Sequence, residues 1–217
     1  MPDPSMMPAI RAAVRANELG AGNPYKLSFA LLGSSGASFG IFQADTAHNS
    51  NAVATLRAVL QGATMDPGRI NAILSVLTVP CPTDPLSAGD EADVNAALAS
   101  TQGQALVDAM DGRTLATITA DLDTATAAAS DAGNSINPDA QLAICLWCNM
   151  SGAPTLMLTW LGGAAVTEPG GTVAAPGNPV TMADMQRYLL RSAFFTNHPR
   201  NWAHFSASVA AGVVLLP

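Results

Sequence analysis

The sequence predicts a mainly α fold of the α+β kind, a helical domain with one small β-hairpin near its start. Three observations predict it. Alanine-rich windows with apolar residues three and four apart recur along most of the 217 residues. Gly and Pro punctuate the chain at intervals that suit helices of ordinary length. Aromatic and β-branched residues gather about a glycine–serine turn only between residues 25 and 43. A single domain over 1–217 is expected, because this length buries a sizeable core without division.

Taken in order, residues 6–19 (MMPAIRAAVRANEL) read as the first helix, with Ser5 as cap, Ile10 and Val14 on one face and Gly20 as stop. YKLSFALLG and ASFGIFQ, joined by GSSG, read as the hairpin. A helix over 51–61 runs from a Ser50 cap to Gly62. Asp66-Pro67 opens the next, cap then first-turn proline, with Ile70, Ile73, Leu74 and Leu77 on one face. VPCPTDPLSAG is a connector, and helical windows resume at 90–110 and 114–130. Asn137-Pro138 starts AQLAICLWCNM, which is apolar nearly all round and so reads as the buried central helix. Residues 163–179 form a long Gly/Pro-rich loop, followed by helices over 181–194 and from near Pro199.

Composition narrows the function. Apolar residues make up 49% and charged residues 12%, too apolar for a disordered chain. Nine scattered basic residues and a net charge of −7 exclude a nucleic-acid surface, which needs clustered Lys and Arg. No run of about 18 apolar residues predicts membrane insertion. MPDPSMMPAIRAAVRANELG lacks the basic start and apolar stretch of a signal peptide, so the chain as given is expected to be made in the cytoplasm. Cys81, Cys145 and Cys148 make no disulfide framework. The C-x-x-C pair lies in an apolar helical window with no second pair, which favours core packing over redox or metal chemistry. His198 and His204 are six apart without a helical ligand motif, so neither metal nor cofactor is expected.

The chemistry centres on Glu18 and GASFGIFQAD (36–45). A carboxylate in the last turn of a helix meets the negative end of the dipole. Added desolvation would hold it protonated near neutral pH, as a general acid for glycoside cleavage requires. By itself, Glu18 equally suits a solvated helix end. Together with Gly36, Phe39, Gly40, Ile41, Phe42, Gln43 and Asp45, it resembles the lysozyme superfamily, closest to goose-type lysozymes and lytic transglycosylases. In that family a catalytic Glu ends a helix, and a hairpin with a Gly-x-x-Gln turn forms the other wall of the cleft. WCNMSGAP at 147–154 is loosely similar to the transglycosylase helix end, with Asn149 the matching Asn.

The resemblance covers about the first fifty residues and, faintly, 140–155. It implies a lysozyme-like fold with Glu18 as general acid. It implies that Gly40 lets the backbone approach a sugar ring and that Gln43 braces the hairpin against the Glu18 helix. Ser38 stands where some members carry a catalytic Asp and phage-type members a Thr; its hydroxyl can hold a water but cannot act as nucleophile or base. Asp45 matches the aspartate that goose-type enzymes place around the attacking water. An inverting mechanism, with carboxyls about 6.5–9.5 Å apart, would use Asp45 as base. The alternative for Asp45 is an acid that binds backbone amides at a helix start. Phe39, Tyr25, His48 and Asn149 complete the expected substrate contacts; Tyr25 and Trp147 suit the core as well, and His48 suits a plain surface position.

The activity so implied is hydrolysis of a β-linked amino-sugar polymer, most naturally peptidoglycan, by a phage endolysin or an exported effector acting on the cell envelope. The acidity would suit a chitosanase, since chitosan is a polycation. Transglycosylase chemistry would need Glu18 alone. A non-catalytic module that keeps the shape is the reading from another class.

Overall fold

Caps and small residues set where this chain turns. The structure, a computed structural model, describes residues 4–30, 33–80 and 84–217. Cys81 and part of the expected first strand, Leu31 and Leu32, lie outside them. The described fold is mainly helical with small antiparallel sheets, and it consists of two compact units, Glu18–Thr114 and Leu115–Pro217 with the N-terminal segment to Asn17.

The unit Glu18–Thr114 opens on the last residue of α1 (Met7–Glu18), beyond which Gly20 takes φ +56°. Three short strands follow: β1 (Ser28–Phe29), β2 (Ala37–Phe39) and β3 (Ala44–Asp45), antiparallel in the order β1-β2-β3. The expected hairpin therefore gains a third strand. Thr46, just after β3, donates through its backbone N–H to the Ala37 carbonyl at 2.8 Å, and its hydroxyl reaches both that carbonyl and Leu77's.

Helix α2 (Ser50–Gly62) is capped by Asn49, one residue ahead of the expected Ser50. The Asn49 side-chain oxygen accepts from Asn51 N at 2.9 Å and Ala52 N at 3.2 Å. α3 (Pro67–Leu77) starts as expected, with the Asp66 side chain accepting from Arg69 N at 3.0 Å and Pro67 in the first turn. Ser87 caps α4 (Ala88–Ala99), and α5 (Thr101–Asp131) begins after Ser100. The sequence suggested a break between 110 and 114. Instead the chain breaks at Ser100, whose Oγ accepts from Gly103 N at 3.0 Å. A Cβ on Gly103 would lie 2.1 Å from the Ala97 carbonyl oxygen, so only glycine permits the tight junction. Leu56, Leu60, Ile70, Leu77 and Leu98 close the core of this unit beneath Phe39.

In the other unit, Ser5 lies inside a 3-10 turn (Pro4–Met6) leading into α1, rather than serving as its cap. Ala9, Ile10, Ala13 and Val14 are the buried face of α1. α6 (Pro138–Ser151) begins at Asn137-Pro138 as expected and buries every residue from Leu142 to Cys148. α10 (Asn201–Val213) and α8 (Met182–Leu189) pack on it. α7 (Thr155–Leu161) precedes the expected long loop, which contains a second hairpin, β4 (Val166–Glu168) with β5 (Gly171–Val173). Buried Val166 pairs with buried Val173. The Pro-Gly turn is fastened by Gly170 N to Arg191 O at 2.8 Å and by Arg191 Nη1 to Gly170 O at 2.7 Å. The expected helix over 181–194 divides at Ser192 into α8 and α9 (Ala193–Asn197).

Candidate functional site

Alternation along β2 sorts the GASFGIFQAD motif into two faces. Ala37 and Phe39 are buried, and Ser38 between them lies on the more open face. Ser38 pairs directly with Ser28 on one side and Asp45 on the other. Residues directly opposite in a sheet share a face, so Ser28, Ser38 and Asp45 form one polar row. The structure thus brings together Ser38 and Asp45, both expected at the site, and adds Ser28.

Gln43 joins this row by a different route from the one expected. It adopts φ +47°, in the left-handed region unusual for a side-chain-bearing residue. Its amide is engaged at both ends within the sheet: Oε1 accepts from Ser28 Oγ at 2.5 Å and Nε2 donates to the Gly40 carbonyl at 3.0 Å. The brace is internal to the sheet, not directed at the Glu18 helix. Asp45 Oδ1 accepts from Gly36 N at 2.9 Å and Ala47 N at 2.8 Å, so it does bind backbone amides, but from strand β3 and not at the helix start that its alternative role assumed.

Gly40 and Phe39 face inward. Phe39 is fully buried among Leu56, Leu60 and Leu77, so it is a core residue rather than a substrate contact. Gly40, at φ +79°, makes its close approach to Asp111: an added Cβ would lie 2.6 Å from Oδ1 and 3.2 Å from Oδ2. Asp111 is 1% exposed and accepts from Ile41 N through Oδ2 at 3.0 Å. One turn earlier on α5, Asp108 accepts from the Tyr25 hydroxyl at 3.0 Å, so Tyr25 is half-buried and pinned. Neither acid was singled out from sequence. The signal was there: Asp111 falls four residues after buried Val107 and four before buried Leu115, on an otherwise apolar stripe.

Glu18 is half-buried as the last residue of α1, at the expected place. His48 is exposed and its Nε2 lies 2.9 Å from the Ser34 carbonyl, which tethers the glycine–serine turn. Asn149, half-buried in the last turn of α6, belongs to the other unit. Trp147 there stacks on Phe195 at 5.8 Å and is buried. Cys145 and Cys148 are buried and unbridged; burial pushes both thiols up, Cys148 to about 12, with Asp121 adding to it. Such thiols are protonated and inert at neutral pH.

Among the described residues, no three His, Cys, Asp or Glu side chains group as metal ligands, and no helix is long and apolar enough to cross a membrane. No protein-family model, curated protein or solved structure matches the chain.

Proposed function

We propose that the chain is a lysozyme-like glycoside hydrolase that cleaves a β-linked amino-sugar polymer, peptidoglycan first among them. The observation that carries the reading is the row Ser28–Ser38–Asp45 on the open face of a small sheet. The chain enters that sheet soon after a helix ending in Glu18. A helix-end acid followed by a sheet bearing a hydroxyl opposite a carboxylate is the set of groups that inverting hydrolysis uses.

In this reading Glu18 protonates the glycosidic oxygen and the bond to the anomeric carbon breaks. Water attacks that carbon from the opposite face, giving up its proton to Asp45 while the Ser38 hydroxyl orients it. The place of action is the cell envelope, reached by phage-type lysis or export. A net charge of −7 keeps a chitosanase in the same class, because an acidic surface attracts a polycation.

One observation favours a second chemistry. Asp45 Oδ1 already serves two backbone amides, which suits a structural carboxylate better than a base. A transglycosylase would then use Glu18 with the substrate's own hydroxyl as nucleophile.

Product mass spectrometry on peptidoglycan, chitosan and a neutral envelope glycan, for the native chain and Glu18→Gln, tests the proposal. Reducing-end fragments lost in the variant, by at least about 100-fold in rate, are expected. Anhydro-sugar ends would replace the inverting chemistry by the second. No cleavage of any glycan by the native chain would leave a binding module and reject the enzyme.

A further inference from the structure

α10 meets α1 at two points, and the two chains run in opposite directions between them. A Cβ on Gly212 would lie 2.6 Å from the Ala9 carbonyl oxygen and 3.0 Å from the Ala13 side chain, so the helices touch backbone to backbone there. At the other end His204 Nε2 lies 2.9 Å from the Asn17 carbonyl oxygen. From Ala9 to Asn17, and from Gly212 back to His204, each helix advances eight residues, roughly 12 Å of rise. Equal advance lets both contacts form at once.

The second contact falls where a helix needs it. Carbonyls of a last turn have no donor within the helix. A carbonyl can only accept, so the His204 ring must carry its proton on Nε2. Asn17 immediately precedes Glu18, and the same turn carries both.

We propose that His204 is a positioning residue: by donating Nε2–H to the Asn17 carbonyl, it fixes the last turn of α1 and so aims Glu18. The inference rests on the reading of Glu18 as the acid. A general acid must meet one lone pair of one oxygen, and an ångström of drift at the helix end weakens that step more than it weakens binding. Removing the bond takes one anchor from the turn that carries Glu18.

The test compares the full-length chain with His204→Leu, which fills the space without a donor, and His204→Gln, which restores an N–H. Both changes are on an exposed residue, and melting curves confirm folding. Hydrogen exchange of the Asn17, Glu18 and Leu19 amides should quicken in the Leu variant and return toward native in the Gln variant. On peptidoglycan sacculi, the Leu variant should lose about tenfold in kcat with KM within about twofold, and Gln should recover most of it. Native exchange and native kcat in the Leu variant overturn the proposal, as does a Gln variant that behaves like Leu. A native chain that cuts none of the test glycans overturns it through the Glu18 reading. The exchange comparison needs no substrate and still decides whether the bond holds the helix end.

Discussion

Gly40 satisfies two demands that no other residue meets together. Its φ of +79° lies where a Cβ is strained, and the space that a Cβ would enter is held by the Asp111 carboxylate. Alanine there meets backbone strain and a buried oxygen at 2.6 Å, so Gly40→Ala should destabilise by roughly 2–4 kcal/mol, read by urea unfolding. Asp111→Ala should also destabilise, because Ile41 N–H loses its acceptor inside the core, at about 1–3 kcal/mol. The double variant removes the clash, so it should lose less than the two single losses added. Strict additivity would show that the two sites are not in contact in solution. These residues also mark what sequence reasoning reached at the site. The sequence reading places both Ser38 and Phe39 at the substrate, and only the burial of alternate residues along β2 separates them. The Asp111 contact joins residues 70 apart, and nothing local to GASFGIFQAD announces it.

Two glycines of α5 respond oppositely to the same change. Gly103 sits against the Ala97 carbonyl at the α4–α5 junction, where a Cβ would be 2.1 Å from oxygen. Gly112 is exposed in mid-helix with nothing within 4 Å of an added Cβ. Gly103→Ala should therefore cost about 3 kcal/mol or more, since backbone must move. Gly112→Ala should gain roughly 0.5–1 kcal/mol from helix propensity. Thermal melts of the two variants that shift in the same direction would contradict the junction. The pair also explains why element starts were legible and this boundary was not. Asp66-Pro67 and Asn137-Pro138 announce helices by local chemistry alone. Gly112 looks like a breaker in sequence but is a solvated helical residue. Gly103 looks like an ordinary helical glycine, yet the turn depends on it. The β4–β5 hairpin was missed for a related reason. Val166-Thr-Glu-Pro-Gly-Gly-Thr-Val173 does alternate about a turn, but its Gly and Pro content reads as loop until Arg191 is known to receive it.

Each of the two units carries a carboxylate whose ionisation is tied to folding. In one, burial raises the Asp184 pKa, but its bonds to Thr181 and Gly177 and the charge of Arg187 outweigh that and hold it below the usual value. It closes the capping box at the start of α8. In the other, the Ser87 hydroxyl first and Arg69 second hold Asp90 low at the start of α4. Asp90 is the more solvated of the two, so screening makes Asp184 the larger contributor. A carboxylate with a depressed folded-state pKa stabilises fully above its unfolded value, about 3.9, and that stability is lost as pH falls through the folded value. Melting temperature of the whole chain should therefore hold from neutral pH to about pH 5 and then fall steeply toward pH 2. Asp184→Asn keeps the side chain's shape and an acceptor but cannot titrate. It should melt lower than the native chain at pH 7, by the equivalent of about 1 kcal/mol, and lose less on acidification. The two melting curves should converge near pH 2, where the native carboxylate is protonated as well. A variant curve that stays parallel to the native one from pH 5 to pH 2 would mean that acid acts elsewhere. The remaining candidate is then the other carboxylate held low on folding, Asp90 at the start of α4.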